Sequence, residues 1–359
     1  MKSKLTSAST LFFLLVLAFG CTPADVKWIG KPAPDERAKM GLKGPVKKVT
    51  TSYYRAEDTT MTLDSLLKTE PSSVYQDIFT ATGQQLEVKD WSRGTLNMHQ
   101  VHHLNDQEQT IEIEYKRETG ARINHASMAY FPNGLLRQEQ YFDENGNMYR
   151  QETYSYDDLN RLSEIETKNF EGGANERPII ELMKMEYEDT STLLKRRTKT
   201  REKQTVFVQD YEKGVVHTTT MYPKGEITKF KHDAAGNGIQ TEDFDKYGKR
   251  TSAFFADFDA MGNRVRIRHY GPENTLELWQ TWRYDSLGNQ IEERSAYAYS
   301  AVPHPQDADT LHPDIMTMEY QFDSHGNILQ KVETENGHLR SIWIFELEYD
   351  PETTKKPAP

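Results

Sequence analysis

Along most of the chain, hydrophobic and polar residues alternate with a period of two. The segment RVRIRHY places Val265 and Ile267 on one side and three arginines on the other, and WIFELEY aligns Trp343 with Phe345. Successive side chains of a strand point to opposite faces, so this pattern predicts strands with one buried face. We therefore expect an all-β protein.

A turn signal recurs between these strands. Segments such as YDSLGNQ and FDAMGNR contain Asp, two variable residues and Gly-Asn, and the turn Gly or Asn returns every 11 to 14 residues between Gly214 and Gly288. Asp accepts hydrogen bonds from the N–H groups just ahead of it, and Gly supplies the positive φ of a three-residue hairpin loop. The predicted structural turn residues are Asp143, Gly146, Asp233, Gly236, Asp245, Gly248, Asp259, Gly262, Asp285, Gly288, Asp323 and Gly326. Turns at this spacing predict repeated antiparallel β-hairpins, which form a long meander sheet or an open or closed β shell.

An aromatic residue precedes the turn in seven places. These residues are Phe142, Tyr156, Phe244, Phe258, Tyr284, Phe322 and Tyr349. We interpret each as the last inward-facing residue of its strand, stacked on its neighbours across the sheet. The alternative is an exposed aromatic row that binds sugar rings.

The repeat resembles those of known families. YDSLGNQIEE, FDAMGNRVRI and FDSHGNILQK resemble the YD repeats of RHS-type proteins, while YFPNGLLRQEQYF and YPKGEITKF are loosely similar to the variant MORN repeats of an antitoxin-like family. LKGPVKKVT followed by such hairpins also resembles lipoproteins of unknown function from Bacteroidetes-type bacteria. The resemblance spans roughly residues 78–350 and implies a β-hairpin shell, whereas function does not follow from fold.

The N-terminus has the features of a bacterial lipoprotein signal. Lys2 and Lys4 precede the apolar stretch Leu11–Gly20, which is too short for a bilayer span of about 20 residues. Cys21 follows directly and is the only cysteine, and LAFGC resembles a lipobox. We expect a signal peptide over residues 1–20 and lipid acylation of Cys21, with membrane lipid as a partner. The alternative is an ordinary secretory signal with a stray cysteine.

The residue after the cysteine bears on localisation. Thr22 stands where many enteric lipoproteins retained at the inner membrane have Asp. By this resemblance, the protein is expected in the bacterial cell envelope, at the outer membrane.

The strand-and-turn pattern separates the chain into regions. We expect a tether over residues 21–44, a β-repeat domain over 45–350 with an insertion near 300–314, and a disordered tail over 351–359. Within the domain, TLDSLLKTE predicts a two-turn helix that interrupts the strands.

The charge of the mature chain excludes one class of partner. Removal of residues 1–20 takes two lysines and no acids, which leaves 44 − 2 = 42 Lys and Arg against 55 Asp and Glu, a net charge of −13. A strongly acidic surface repels phosphate backbones, so we expect no nucleic-acid binding.

Motifs for catalysis or for metal binding do not occur in the sequence. The insertion contains His304, Asp307, Asp309, His312 and Asp314, but their spacing fits no ligand motif. We therefore expect no metal, no other cofactor and no catalytic residue. The leading hypothesis is a non-catalytic, lipid-anchored envelope protein whose β-repeat surface binds a protein partner. The alternatives are a glycan- or peptidoglycan-binding module, an envelope hydrolase that uses two carboxylates, and an immunity-like protein.

Overall fold

The computed structural model describes residues 35–170, 177–297 and 313–351. Within these ranges the chain forms 22 strands and two single-turn helices, α1 (Glu36–Lys39) and α2 (Leu63–Leu66). The strands are β1 (Val46–Arg55), β2 (Ser73–Phe79), β3 (Gln85–Ser92), β4 (Thr95–Leu104), β5 (Thr110–Lys116), β6 (Arg122–Tyr130), β7 (Leu136–Phe142), β8 (Met148–Tyr156), β9 (Leu162–Asn169), β10 (Ile179–Tyr187), β11 (Leu194–Arg201), β12 (Gln204–Glu212), β13 (Val215–Met221), β14 (Ile227–His232), β15 (Gly238–Phe244), β16 (Arg250–Phe258), β17 (Arg264–Tyr270), β18 (Leu276–Tyr284), β19 (Gln290–Tyr297), β20 (Asp314–Phe322), β21 (Ile328–Glu335) and β22 (His338–Tyr349). The helix predicted from TLDSLLKTE is one turn long, not two. Within the described ranges, no helix is long and apolar enough to span a bilayer.

The strands form one closed antiparallel barrel. Each strand pairs with the next along the chain. The last strand, β22, pairs with the first, β1, with Val49 opposite Leu347. The predicted all-β hairpin fold is confirmed, and the open alternatives give way to the closed shell.

The barrel wall has two faces, and each carries both aromatic and charged residues. Paired residues share a face and neighbours alternate, so the register assigns each side chain to one of two faces. We call the first the aromatic face; it includes Tyr53, Tyr115, Tyr154, Phe254, Trp282 and Trp343. The second, the charged face, includes Lys48, Glu87, Glu114, Arg196, Arg268 and Glu348.

The most completely buried side chains lie where the barrel closes. The largest fully buried side chains of the described residues are Leu66, Ile342, Val46 and Ser341. All four belong to β1, β22 or the connection that follows β1. Elsewhere most wall residues are only half-buried, because each strand contacts mainly its two neighbours and the wall is a single layer.

The barrel has two rims, distinguished by the order of the strands. The proximal rim holds the turns that follow even-numbered strands and the start of β1, and the distal rim holds the connections that follow odd-numbered strands. The three long connections, over residues 56–72, 170–178 and 298–313, follow β1, β9 and β19. All three therefore begin and end at the distal rim.

The N-terminal segment is attached to the proximal rim. The Arg37 guanidinium donates to the carbonyl oxygens of Val46 (3.3 Å) and Ala81 (3.2 Å). The Lys43 backbone N–H donates to Asn327 Oδ1 in the turn between β20 and β21, at 2.6 Å. Residues 35–44, the described part of the predicted tether, thus lie against this end of the barrel.

The structure places the twelve predicted turn residues in hairpin turns. In the turn between β18 and β19, Asp285 Oδ1 accepts hydrogen bonds from the backbone N–H groups of Leu287 and Asn289, both at 2.8 Å. Gly288 has φ +85°, and Asn160 and Asn274 occupy the equivalent position with φ values of 58° and 60°. Asn therefore takes the place of Gly where a left-handed residue is required.

We expect Gly288→Ala to lower the free energy of unfolding by about 1–2 kcal/mol, the usual cost of a left-handed alanine. The nearest atom to an added Cβ is Asn263 Oδ1 at 4.0 Å, so the cost is conformational and not steric. Gly288→Asn serves as the control and should cost less, since asparagine tolerates this conformation. Urea denaturation measures both, and equal losses would contradict the assignment.

The aromatic residues before the turns divide between the two faces. Tyr156, Phe258, Tyr284, Phe322 and Tyr349 lie on the aromatic face, whereas Phe142 and Phe244 lie on the charged face. The interpretation that all seven face one core is wrong for these last two. Phe142 and Phe244 end the odd-numbered strands β7 and β15. In these two strands the residue before the turn points to the charged face, although the turn motif is the same.

Candidate functional site

A cleft opens at the distal rim on the charged face, where the connection from β1 meets β2 and β3. It is lined by Glu70, Pro71, Val74, Gln76, Trp91 and Gly94, and its volume is about 380 Å³. Val74 and Trp91 lie directly opposite each other on β2 and β3. This pair and Pro71 form the apolar part of the lining, and Glu70 and Gln76 supply polar groups.

Local structure fixes the walls of the cleft. Arg93 and Gly94 both have positive φ (48° and 75°) and form the tight turn that places Trp91 beside the rim. The Arg93 N–H donates to the Ser72 carbonyl at 3.0 Å, and the Ser72 N–H donates to the Tyr53 carbonyl at 2.8 Å. These bonds tie the end of the long connection to the sheet next to the cleft.

Helix α2 anchors the other part of this connection. Thr62 and Ser65 form a reciprocal capping box, in which the Ser65 N–H donates to Thr62 Oγ1 at 3.3 Å and the Thr62 N–H donates to Ser65 Oγ at 2.9 Å. Leu66 is only 1% exposed. The connection is therefore held by packing and by its cap, which gives the cleft a defined shape.

The cleft can hold a small apolar or ring-shaped group. Trp91 offers a flat face for stacking, and Glu70 and Gln76 can accept or donate hydrogen bonds at its edges. Such an arrangement suits one side chain of a protein or one sugar ring.

A second group of polar residues lies on the aromatic face in the middle of β7 and β8. Glu139 and Glu152 are directly opposite each other. The Tyr154 hydroxyl lies between them, 2.7 Å from Glu152 Oε2 and 3.1 Å from Glu139 Oε2, and the Tyr141 hydroxyl donates to Glu139 Oε2 at 2.8 Å. Arg150 forms an ion pair with Glu152.

The protonation of this group follows from its neighbours. Burial opposes ionisation of Glu152, but hydrogen bonds from Tyr154 and Arg150 outweigh it and lower the pKa of Glu152. Burial, together with the adjacent carboxylates, raises the pKa of the Tyr141 and Tyr154 phenols well above its usual range. Hydrolysis of a glycosidic bond needs an open position between two carboxyl groups, one of which stays protonated. Here a tyrosine hydroxyl fills that position, so the geometry favours a structural role for the pair.

Several tyrosines at the proximal ends of strands share one contact that the alternation pattern did not predict. Each hydroxyl donates to a backbone carbonyl on a neighbouring strand, at 2.7–2.9 Å: Tyr130 to Thr110, Tyr156 to Leu136, Tyr187 to Leu162, Tyr284 to Arg264 and Tyr320 to Gln290. Four of the five tyrosines stand just before a turn, and this recurrence is the sequence signal for the bond, because Phe at the same place cannot form it; the fifth, Tyr320, stands two residues before the end of β20. These tyrosines are structural.

Several sequence-based predictions fall outside the described residues. These are the signal peptide over residues 1–20, the acylation of Cys21, the tether up to residue 34, the insertion up to residue 312 with the rejected metal site at His304 to His312, and the tail from residue 352. Asp314 is described, as the first residue of β20. Among the described residues, no group of three or more His, Cys, Asp or Glu could hold a metal ion. Trp91 was not singled out from the sequence, because the residues that line its cleft come together only when the strands pair.

Comparison with known proteins yields structural likenesses only. No protein-family model and no curated protein matches the chain. The crystal structure of TcdB2-TccC3-Cdc42 matches 77% of this chain and 16% of its own, at 13% identity and a TM-score of 0.32. A porin-like protein from Bacteroides uniformis matches 85% of this chain and 99% of its own, at 10% identity and a TM-score of 0.30. A porin-like protein from Bacteroides vulgatus matches 70% and 94%, at 10% identity and a TM-score of 0.25.

These likenesses carry no argument about function. The chain spans about a sixth of the first of these structures. At such identities and TM-scores, the description of the barrel rests on its own strand pairing.

Proposed function

We propose that this protein is a non-catalytic, lipid-anchored envelope protein that presents the distal rim of its barrel to a protein partner. The observation that carries the proposal is the segregation of features between the rims. The N-terminal segment, which leads back to Cys21, is attached to the proximal rim. The long connections begin and end at the distal rim, and the Trp91 cleft lies beside it.

The closed barrel restricts how a partner can bind. Because β1 pairs with both β2 and β22, neither terminal strand of the sheet presents a free edge. A partner therefore cannot add a strand by β-augmentation and must contact side chains and connections.

The distal rim has side chains suited to such a contact. Tyr222 and Tyr247 are 45% and 82% exposed in turns of this rim, in addition to Trp91 in the cleft. Tyrosine and tryptophan are the residue types most enriched at the energetic centres of protein interfaces.

Site-specific photo-crosslinking in the native cell tests the proposal. A photoreactive residue in place of Glu70, which is exposed at the cleft, should capture one dominant protein identified by mass spectrometry. The same residue in place of Leu287, in a proximal turn, is the matched control and should not capture it. Capture should also require Cys21, so Cys21→Ser should abolish it. Equal capture from both rims, or capture of no protein, would contradict a distal-rim partner.

Glycan binding is the second candidate, and Trp91 is the observation that favours it. An indole face beside a carboxylate and an amide can stack on a sugar ring and bond its hydroxyl groups. Retention of the protein on peptidoglycan or envelope polysaccharide, lost in Trp91→Ala, would favour this function over a protein partner.

A further inference from the structure

The charged face carries an excess of basic residues between β14 and β19, and we call this region the basic patch. Its bases are Lys229, Lys231, Arg266, Arg268, Arg283 and Arg294. Its acids are Glu242, Asp257 and Glu292. Two more charged residues near the distal ends of these strands, Arg250 and Glu277, offset each other. Because the whole chain has a net charge of −11, such a local excess of bases attracts anions to one part of an otherwise acidic protein.

Two of these carboxylates each serve two guanidinium groups. Asp257 pairs with Arg266 at 2.5 Å and with Arg268 at 3.4 Å. The second set is Glu292 with Arg283 and Arg294, at 3.4 and 2.8 Å. A guanidinium has five N–H donors, so a shared carboxylate satisfies each one only in part. In addition, the buried Nε of Arg268 has no hydrogen-bond partner among the described residues. Donors are therefore left for an anionic ligand.

A row of side chains crosses five neighbouring strands within the basic patch. The row runs from Lys231 on β14 through Gln240, Phe255 and Arg268 to Trp279 on β18. Phe255 and Trp279 are half-buried and stand two strands, or about 10 Å, apart. The guanidinium of Arg268 lies between them, 6.0 Å from the centre of the Phe255 ring. Rings thus alternate with hydrogen-bond donors, which suits a ligand made of linked rings that carry polar groups.

We propose that the basic patch binds an acidic polysaccharide built of uronic acids. The guanidinium groups bind the carboxylates, and Phe255 and Trp279 stack on the faces of sugar rings. This site lies on the wall of the barrel and is separate from the Trp91 cleft on β2 and β3. It depends neither on a protein partner at the distal rim nor on acylation of Cys21.

The spacing of the charges favours a polysaccharide over a nucleic acid. Arg266 and Arg294 lie opposite Thr281 from either side, so they stand two strands or about 10 Å apart. Phosphates follow one another much more closely, about every 3.4 Å along one DNA strand. Sugar hydroxyl groups can also donate to Asp257 and Glu292, whereas the backbone of DNA offers only acceptors, which these carboxylates repel.

Binding of the purified full-length protein to immobilised polygalacturonate and hyaluronate tests the proposal. Polygalacturonate with its carboxylates methyl-esterified is the control for charge, because the rings are the same. We expect the double variant Arg266→Gln/Arg294→Gln to bind polygalacturonate about tenfold more weakly, since charge-assisted hydrogen bonds are lost. Lys231→Gln is the second variant; it should also weaken binding, and it removes no ion pair of the described residues.

Arg196→Gln is the matched control for the variants. Arg196 lies on the same face, its side chain is 48% exposed like that of Arg266, and it pairs with Asp210. Urea denaturation of each variant verifies that the barrel is folded.

Weaker binding in the double variant and in Lys231→Gln, with Arg196→Gln and Trp91→Ala unchanged, would support the site. Equal loss in Arg196→Gln would reduce the effect to overall charge and overturn it. A loss in Trp91→Ala would place the polysaccharide in the distal cleft. Equal binding of the esterified polymer, tighter binding of a single-stranded oligothymidylate, or no binding of either acidic polysaccharide would also overturn the proposal.

Discussion

Replacing Ile342 with alanine is expected to lower the free energy of unfolding by about 2–5 kcal/mol, the range for a fully buried Ile. Ile342 is 0% exposed and stands on β22 between Tyr54 of β1 and Val332 of β21. It therefore belongs to the junction where the first and last strands close the barrel. A cavity there removes packing at the place where the described residues are buried most completely.

Ile180→Ala is the matched control, because Ile180 lies on the same face of the wall but is 37% exposed. Its loss should be about 0.5–1 kcal/mol, in line with partly exposed sites. Urea denaturation of both variants, with the slope of each transition compared, separates the two cases. Similar losses would show that the closure is no more important to stability than the rest of the wall.

Trp91→Ala is expected to raise the Kd for the protein partner about 30-fold, since a central interface aromatic contributes about 2 kcal/mol or more to binding. Trp91 is the large aromatic residue of the distal cleft, and its removal takes away the surface opposite Val74. The partner identified by photo-crosslinking would be purified and titrated against the purified full-length protein to measure binding.

Trp279→Ala provides the control for this measurement. Trp279 is a half-buried tryptophan on the same charged face, on β18, and it does not line the cleft. Both variants should unfold cooperatively, and only Trp91→Ala should reduce binding. A loss of binding in both variants, or in neither, would remove the cleft from the proposed interface.

The candidate site is harder to predict from the sequence than the strands are. Trp91 and Val74 come together through strand register. Glu70 and Pro71 lie beside them because the connection is hydrogen-bonded to the sheet at Ser72. No short motif links these positions. The segregation of the long connections to one rim also depends on the number of strands between them, and several intervening turns have no Gly or Asn at a positive φ. Glu108 and Lys203 are examples, with φ values of 58° and 66°.

The strands are recognisable in the sequence from an alternation of period two, and the turns from Asp, Gly and Asn at positions with restricted φ. Both depend on interactions within a few residues, which is why they can be recognised locally. Closure of the barrel follows only from the folded structure, because Val49 and Leu347 pair across almost 300 residues. The tertiary structure also decided which face Phe142 and Phe244 share and which rim each connection joins, since both follow from the register and order of all the strands together.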